Sequence, residues 1–375
     1  MKRLLLLGGG HSHVFVLDAL ARQPLDGVEV VLLTPYRRQV YSGMLPGWIA
    51  GHYSLDACMI PLDTLAARSD CRFLHTSGTH IDADKREVVC ADGLALAYDV
   101  LSVDVGSTTD VSALVGAEQH ALPVRPIERF IAGWERILEQ ARERTGIRLA
   151  ILGGGAAGAE LALSMAFRLN QETGGRGLSL HLVSASPNLL PDHPRGVGKR
   201  LERILRRRQI AIHAGNRALS VSAEGIRLAN GETIPVTQTI LATGASAPPW
   251  LKDTSIALDA EGFIGVDRHL RSLSHPDIFA AGDVASMAGH PRPKSGVYAV
   301  RAGPPLAENL RRALSGHALL SHTPQQQALY LMCTGGQHAV ASWGPFSWAG
   351  NWVWQWKDHI DRKFVARYQF NETQP

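Results

Sequence analysis

The chain has 375 residues, of which 45% are hydrophobic and 19% are charged, and its formal net charge is +4. This length allows about two or three domains, each with its own core, and the weak positive charge argues against nucleic-acid binding. No apolar run reaches the roughly 18 residues needed to span a membrane. The cysteines at 58, 71, 90 and 333 form no C-x-x-C pair, so we expect no metal site, no local redox disulfide and a cytoplasmic location.

The chain begins with a glycine-rich turn. Residues 2–8 predict a buried strand, Gly8, Gly9 and Gly10 predict a tight turn, and residues 11–21 predict a helix. A helix that starts after such a turn binds phosphate through its free N–H groups. His13 stands where dinucleotide-binding turns usually have their third glycine, so we expect a wider gap between helix and strand.

The second predicted strand, Val28–Leu33, is apolar except for Glu29, as in strands that a parallel sheet buries on both faces. In a dinucleotide-binding fold this strand usually ends in an acid that holds the adenosine ribose. Here Thr34 and Pro35 follow, so a hydroxyl replaces the carboxylate. The next segment, residues 41–48, is rich in small and aromatic residues. Two interpretations of it stay open, a surface turn and a segment that lies along a flat cofactor ring.

The rest of the first segment predicts short elements. We expect a small β-layer, a strand that ends near Gly106, a linker and an amphipathic helix, at residues 71–75, 79–83 and 86–91, then 98–105, 123–126 and 127–144.

A second glycine-rich turn follows the first by about 145 residues. An apolar strand precedes the G-x-G-x-x-G pattern of residues 153–158, and a helix opens after it. Gly153 permits the tight turn, Gly155 lets the backbone approach a pyrophosphate, and Gly158 lets helix and strand pack closely. Two such turns predict two nucleotide-binding domains in one chain.

The second unit extends over residues 146–245. Its second strand, at 178–183, is followed by Ser184, again without an acid. The helix predicted at 194–208 carries seven basic residues, and a solvated face is favoured over a ligand site; contact of Arg195 with a 2′-phosphate stays open. A further apolar strand, at 239–245, breaks at Gly244.

Gly282 and Asp283 end another buried strand, where the carboxylate can accept hydrogen bonds from a polyhydroxyl chain such as ribitol; an ordinary turn is the alternative. The helix predicted to open at 293–301 presents N–H groups suited to an anion that develops on a ring.

The C-terminal region, residues 327–375, contains five of the eight tryptophans. Strands are predicted near 329–333 and 338–343, followed by a helix whose apolar face would comprise Val353, Trp356, Ile360 and Phe364. We favour docking of this helix on its own domain over contact with lipid headgroups, because acidic residues offset the basic ones; peripheral membrane contact stays open.

Taken in order, residues 8–13, 153–160, Thr243–Gly244 and Gly282–Asp283 resemble the two-dinucleotide flavoproteins of the pyridine nucleotide-disulfide oxidoreductase superfamily. The chain is most similar to the branch of type II NADH dehydrogenases and sulfide:quinone reductases. Residues 8–13, 41–47 and 293–301 resemble most closely the flavoprotein module fused to selenide, water dikinase.

The resemblance implies an α/β fold with two Rossmann-like FAD/NAD(P)-binding domains, the second inserted in the first, and a small C-terminal α+β region. The implied boundaries are 1–118 and 257–320 for the FAD-binding domain, 119–145 for a linker helix, 146–256 for the NAD(P)H-binding domain and 321–375 for a C-terminal interface or tail region.

The resemblance also implies site residues. FAD would contact the first turn, the second strand end, segment 41–48 and the Gly-Asp region, at Gly8, Gly10, His11, Ser12, Thr34, Pro35, Ser42, Gly43, Met44, Gly106, Gly282, Asp283, Gly296 and Val297. NAD(P)H would contact the second turn and a neighbouring strand end, at Gly153, Gly155, Ala156, Ala157, Gly158 and Gly244. Catalytic candidates are Glu160, Lys294 and His11; for Glu160, a purely structural role at the helix start is an equal alternative.

Three departures from the family pattern bear on function. No redox cysteine pair follows the first helix, Val-Asp-Val-Gly at 103–106 replaces the usual Ala-Thr-Gly-like turn, and Ser184 weakens the expectation of NADH and leaves NADPH open. Cys333 would be a lone cysteine in a strand.

The hypothesis we favour is an FAD enzyme that takes hydride from NAD(P)H and reduces a quinone or similar small acceptor. One alternative is a flavoprotein that acts on selenium or sulfur species, in association with selenide, water dikinase. Another is an FAD-binding partner module without turnover. A homodimer and a location on the inner face of the cell membrane stay open.

Overall fold

The computed structural model describes residues 1–143 and 146–369. Its framework is a pair of five-stranded parallel sheets, which confirms the predicted α/β fold with two Rossmann-like units. The last strand of the first sheet follows the whole second unit in the chain, so the second unit is inserted in the first. In spatial order the first sheet comprises Ile278–Ala280, Val100–Val103, Lys2–Leu7, Val28–Leu33 and Cys71–Leu74. The second comprises Ala121–Pro123, Gln238–Leu241, Arg148–Leu152, Ser179–Ser184 and Ile210–Ala214.

The first sheet is buried on both faces. Its strands carry continuous apolar runs, so successive side chains point to opposite faces and both faces are apolar. Leu4 and Leu6 pack against helices, whereas Leu5 and Leu7 pack against a β-layer. The helices are His11–Arg22, Leu62–Arg68 and Gly296–Ser315, and the β-layer contains Gly78–Asp82, Glu87–Cys90 and Ala95–Ala97. A two-stranded parallel pair, Ile264–Val266 and Ala285–Met287, also covers that face.

One predicted strand lies in a different sheet from the one expected. Residues 71–75 were expected in the small β-layer, but Cys71–Leu74 forms the edge of the main parallel sheet, with Val30 in register with Cys71. Cys71 packs on the helical side and Leu74 on the β-layer side. That two-sided burial is what a strand of a covered parallel sheet requires.

The second unit repeats the same layers. Leu149 and Ile151 face helices, and Ala150 and Leu152 face a three-stranded antiparallel sheet. The helices are Ile127–Glu143, Ala156–Thr173 and Arg195–Arg207, and the antiparallel strands are Ala218–Val221, Ile226–Leu228 and Thr233–Ile234.

The segment 119–145, which the sequence predicts as a linker helix, contributes the edge strand Ala121–Pro123 and the helix Ile127–Glu143 to this second unit. Phe130 and Trp134 of that helix are fully buried against the sheet. Arg144, the last residue of the predicted helix, lies outside the described residues.

The C-terminal region is a three-stranded antiparallel sheet with one helix packed on it. The strands are Tyr330–Thr334, Gly336–Trp343 and Phe346–Gly350, and the helix is Asn351–Ala366. The predicted helix face was wrong: Trp356 and Ile360 are exposed, and the buried face comprises Val353, Trp354, Lys357, Asp361 and Val365. Burial of the two charged residues is possible because they pair with each other.

Shorter elements connect these units. They are the antiparallel pair Arg38–Val40 and Met59–Pro61, the short helices Leu45–Ile49 and Ala117–His120, and the 3₁₀ turns Asp56–Cys58, Pro249–Asp253 and Gly282–Val284. None of the helices in the described ranges combines the length and apolarity needed to cross a bilayer.

Candidate functional site

The first glycine turn is packed tightly against the end of a neighbouring strand. Gly8 has a φ of +95°, and a Cβ there would lie 2.4 Å from the backbone oxygen of Asp104. A Cβ on Gly10 would lie 2.3 Å from Cγ of Asp104. Only glycine permits this approach at either position.

The buried carboxylate of Asp104 caps the first helix. Its Oδ2 accepts hydrogen bonds from the backbone N–H groups of Ser12, at 2.8 Å, and His13, at 3.0 Å. Burial raises the pKa of Asp104 to about 7, although these two N–H groups act to lower it. This role of Asp104 was not predicted from the sequence, where residues 103–106 stood out only as a departure from the family pattern.

His13 occupies the space that a third glycine would leave open. Its Nδ1 lies 2.6 Å from the carbonyl oxygen of Gly8, and its Nε2 lies 2.8 Å from Oγ of Ser102. Because a carbonyl only accepts, Nδ1 carries the hydrogen and the Ser102 hydroxyl donates to Nε2. Burial lowers the pKa of His13 to about 4, so a neutral imidazole joins helix to strand.

His11 has a free ring nitrogen. The residue is only 9% exposed, yet its Nε2 has no hydrogen-bond partner within the ranges described. The ring centroid lies 5.6 Å from that of Tyr41. Burial lowers the pKa of His11 to about 4 against the opposing charge of Asp283. The turn therefore presents an unpaired polar atom that a bound ligand or a water could satisfy.

The other residues expected to contact FAD lie at the same edge of the first sheet. Oδ2 of Asp283 accepts a 3.1 Å hydrogen bond from Ser107, and Gly282, with a φ of +71°, packs on Asp104. Oγ of Ser42 lies 3.1 Å from the position of a Cβ on Gly296, so segment 41–48 meets the start of the long helix. The remaining predicted positions border these contacts, with Thr34 and Met44 buried, Pro35, Gly106 and Val297 more exposed, and open space around Gly106.

In the second turn the glycines divide into two kinds. A Cβ on Gly153 would lie 2.2 Å from the oxygen of Ala242, and one on Gly158 would lie 1.9 Å from the oxygen of Gly153. These two glycines therefore permit close packing. Gly155 and Gly244 have no neighbouring atom within 4 Å of a built Cβ and line open space. Ala156 and Ala157 begin the helix there; Ala156 is half-buried and Ala157 is exposed.

Four side chains from three elements form what we call the buried charged cluster: Glu160, Cys333, Lys357 and Asp361. Oε1 of Glu160 accepts a 2.7 Å hydrogen bond from the N–H of Cys333. Lys357 donates to Oδ2 of Asp361 at 2.6 Å and to the carbonyl oxygen of Gly43 at 2.5 Å. The cluster therefore adjoins segment 41–48 directly.

Three side chains of this cluster have strongly shifted pKa values. Burial raises the pKa of Glu160 to about 7, against the opposing charge of Lys357. Burial alone would lower the pKa of Lys357, but the charge of Asp361 raises it above its usual value. Burial also raises the pKa of the Cys333 thiol. The cluster thus contains a permanent ammonium, a carboxyl that titrates near neutrality and a protonated thiol.

Lys294 is not part of the buried charged cluster. Its Nζ donates to the carbonyl oxygen of Ala285 at 2.6 Å and lies 3.8 Å from the centroid of the Phe263 ring. Burial lowers the pKa of Lys294, opposed by Asp259. It borders a cavity of about 330 Å³ that Asp283 and Ser295 also line. The predicted role of Lys294 at a flavin or quinone stays a prediction.

Lys357 and Asp361 were not predicted as site residues from the sequence. Their signal was a stripe with four-residue spacing, Val353, Lys357, Asp361 and Val365, in which an opposite-charge pair stands between two apolar positions. When each charged residue is considered separately, it is predicted to lie on the solvent-exposed face of the helix.

The chain is similar to proteins of one known family. Residues 2–303 match the family model described as pyridine nucleotide-disulphide oxidoreductase. The chain is 26% identical over 298 residues to an NADH dehydrogenase-like protein of Mycobacterium tuberculosis, covering 76% of this chain and 73% of that protein. It is 25% identical over 295 residues to a demethylphylloquinone reductase of Synechocystis, covering 76% and 72%.

Solved structures share the fold. The sulfide:quinone oxidoreductase of Aquifex aeolicus superposes with a TM-score of 0.80 at 16% identity, covering 98% of this chain and 91% of that one. The NDH2 of Plasmodium falciparum, in complex with NADH, superposes with a TM-score of 0.80 at 14% identity, covering 97% of each chain.

Proposed function

The chain belongs to the pyridine nucleotide-disulphide oxidoreductase family, and from this premise we propose that it is an FAD-dependent NAD(P)H dehydrogenase that reduces a quinone. The observation that carries the proposal is the convergence of the buried charged cluster on Gly43. There Lys357 of the C-terminal helix contacts Gly43 of the first unit, and Glu160, on the helix after the second glycine turn, contacts Cys333 of the C-terminal sheet. The names of the two relatives, an NADH dehydrogenase-like protein and a demethylphylloquinone reductase, support the same activity.

The residues at the first turn fit FAD. The unpaired Nε2 of His11 would contact the pyrophosphate, whereas two N–H groups of this helix start already donate to Asp104. Asp283 would accept hydrogen bonds from ribitol hydroxyls. Thr34 and Pro35 follow the strand at which the adenosine ribose would lie. Ser42, Gly43, Met44 and the helix start at Gly296 and Val297 would hold the ring. When bound, FAD supplies a two-electron carrier that accepts hydride from NAD(P)H and passes electrons to the acceptor.

The second turn would hold NAD(P)H. Gly155 and Gly244 leave the space that a pyrophosphate needs, and the helix that begins at Ala156 offers its N–H groups. Glu160 is the fifth residue of that helix.

Quinone reduction consumes NAD(P)H, one proton and the quinone, and it releases NAD(P)⁺ and the quinol. One proton must therefore come from the protein or solvent. Glu160, with a pKa of about 7, can carry that proton at its carboxyl. The ammonium of Lys357, held by Asp361 and Gly43, can stabilise negative charge that develops on an acceptor oxygen.

The alternative substrate class, selenium or sulfur species, has less support. Such chemistry usually needs a thiolate, and the Cys333 thiol is buried with a raised pKa. The other three cysteines are also buried. Association with selenide, water dikinase rests on the sequence resemblance alone.

We also propose that the C-terminal region contacts a membrane surface. Six apolar side chains there are between 38% and 58% exposed, namely Trp343, Phe346, Trp348, Trp352, Trp356 and Ile360; we call them the aromatic surface. Lys363 is exposed one helical turn beyond Ile360. Tryptophan with nearby lysine is the composition favoured at the headgroup level of a bilayer. Contact there would bring a lipid-soluble quinone close to the buried charged cluster.

The test is a turnover assay on the FAD-loaded protein. We expect oxidation of NADH or NADPH that depends on a short-chain ubiquinone or menaquinone analogue. Turnover with sulfide or selenide as the electron donor, and none with a nicotinamide, would contradict the proposal in favour of the chalcogen alternative. Bound FAD without turnover from any donor would favour a partner module.

A further inference from the structure

The two glycine turns can be placed in register with each other. In the first unit Leu7 precedes Gly8 and pairs with Leu33, and in the second Leu152 precedes Gly153 and pairs with Val183. The residues that follow the paired positions are Thr34 and Ser184. Ser184 therefore occupies the position at which a dinucleotide-binding domain contacts the adenosine ribose.

Ser184 offers little to a ribose. It is only 3% exposed, and its hydroxyl donates a 3.0 Å hydrogen bond to the carbonyl oxygen of Ser186. It packs against the middle glycine of the turn, since a Cβ on Gly154 would lie 2.2 Å from its Oγ. An acid at this position would accept hydrogen bonds from the 2′-hydroxyl and repel a 2′-phosphate. Neither effect operates here.

The next helix, Arg195–Arg207, starts close to the same place. Leu189 packs on Gly154 with its Cδ2 3.2 Å from a built Cβ, and the oxygen of Leu189 lies 2.6 Å from a Cβ built on Gly198. The first turn of the helix is therefore one side chain away from the glycine turn. In a parallel βαβ unit this end of the helix lies at the carboxyl edge of the sheet, where the nucleotide binds.

This region is strongly basic. The segment between Ser184 and the strand Ile210–Ala214 contains two acidic residues, Asp192 and Glu202, and seven basic residues, namely Arg195, Lys199, Arg200, Arg203, Arg206, Arg207 and Arg208. Arg195 is exposed at the helix start, where the positive end of the helix dipole adds to its charge.

From this arrangement we infer that the adenosine end of the pyridine-nucleotide site accepts a 2′-phosphate, so that NADPH is used at least as well as NADH, with Arg195 as a specificity-determining residue. The inference rests on the proposed function, because it assumes that the second turn holds NAD(P)H. Its physical basis is the absence of a carboxylate at Ser184 together with the positive field of the adjacent helix.

The direct test is equilibrium binding of nucleotide fragments to the FAD-loaded protein by calorimetry. Adenosine 2′,5′-bisphosphate should bind at least as tightly as adenosine 5′-monophosphate, and its advantage should shrink as salt is added. Tighter binding of the monophosphate by about tenfold or more, or no binding of either fragment, would overturn the inference.

Two variants of the basic helix sharpen the test. Arg195→Ala should weaken binding of the bisphosphate by about fivefold to tenfold and leave the monophosphate unchanged. Arg207→Ala removes the same charge about 18 Å farther along the helix and is the matched control. Equal effects of the two variants would overturn the role of Arg195.

A third variant restores the missing acid. Ser184→Asp should shift the ratio of kcat/KM values toward NADH by about tenfold; an unchanged ratio in a folded, FAD-loaded variant would count against the inference. Failure of the proposed function would look different. It would show as bound fragments with no reduction of the flavin by either nicotinamide, whereas efficient reduction by NADH alone would overturn only the inference.

Discussion

The backbone N–H of Cys333 donates a 2.7 Å hydrogen bond to Oε1 of Glu160. This contact joins the C-terminal sheet to the helix that opens at the second glycine turn. Burial raises the pKa of the Glu160 carboxyl to about 7, so this group can exchange a proton near neutrality. Cys333 therefore contacts Glu160 through its backbone N–H and also through its thiol.

Replacement of Glu160 tests its role in proton transfer. In Glu160→Gln the side chain keeps an oxygen for the N–H of Cys333 but cannot titrate. We expect kcat for quinone reduction to fall by about 10²-fold or more, and the inflection near pH 7 in the profile of kcat to disappear. The measurement is steady-state turnover across the pH range at constant FAD content.

Glu172→Gln is the matched control, since Glu172 lies on the same helix and pairs with Arg142 near the surface. That variant should keep both the rate and the inflection. An unchanged pH profile in Glu160→Gln would contradict the assignment of the proton to Glu160.

The ion pair between Lys357 and Asp361 should matter for folding. Lys357→Met leaves the Asp361 carboxylate buried without its cationic partner, so we expect a loss of about 3–5 kcal/mol in the free energy of unfolding. Removing both charges, in Lys357→Met/Asp361→Leu, should recover most of that loss. Chemical denaturation of the apoproteins measures both. In the control Arg362→Met, the loss of the exposed pair with Asp358 should cost about 1 kcal/mol or less. A double variant no more stable than Lys357→Met would refute the explanation.

The glycine turns and the sheets were predictable from sequence because they follow local rules. Apolar runs that end in Gly8 or Gly153 specify buried parallel strands and tight turns. The contacts that join distant segments were not predictable in this way. Asp104 caps the first helix from 92 residues away, and Lys357 reaches Gly43 from 314 residues away. No periodicity encodes such pairs, and the predicted face of the C-terminal helix failed because charge was taken as a mark of exposure.

The two kinds of glycine in the second turn should respond differently to a methyl group. Gly158→Ala places a Cβ 1.9 Å from the oxygen of Gly153, so we expect a loss of about 1–3 kcal/mol in stability. Gly155→Ala meets no atom within 4 Å, and its φ of −77° suits alanine. That variant should fold normally but raise the KM for NAD(P)H about tenfold, because the methyl group occupies the approach of the pyrophosphate. Normal KM values in Gly155→Ala would argue against nucleotide binding at this turn.

Asp104 should make the stability of the apoprotein depend on pH. Its pKa rises from 3.8 to about 7 on folding, so the folded state holds a proton that the unfolded state releases. This contribution to stability is complete below pH 3.8 and is lost as pH rises through about 7. Asp104→Asn keeps an oxygen for Ser12 and His13 and removes the titration.

Relative to wild type, the Asp104→Asn apoprotein should therefore gain about 2–3 kcal/mol between about pH 5 and pH 8. Thermal unfolding at several pH values measures the difference, and the shared effects of His11, His13 and Glu160 cancel. Asp26→Asn, at an exposed carboxylate, is the control. A difference that does not change with pH would show that Asp104 does not titrate in this range.

The aromatic surface should bind lipid. Trp352→Ser/Trp356→Ser removes two stacked, exposed rings from the helix, and we expect cosedimentation with anionic phospholipid vesicles to drop severalfold. Leu94→Ser/Val115→Ser removes exposed apolar side chains from other loops and should have no effect. Equal vesicle binding by the two double variants would contradict membrane contact through this surface.

The proposed activity requires electrons to enter this protein from a nicotinamide and leave to a quinone. Its most direct test is an anaerobic titration of the FAD-loaded protein, in which the flavin absorbance is followed during addition of NADH or NADPH and then of a quinone analogue. We expect rapid bleaching by at least one nicotinamide and recovery of the absorbance with the quinone. Flavin that stays oxidised with both nicotinamides, but is bleached by sulfide or selenide, would contradict it.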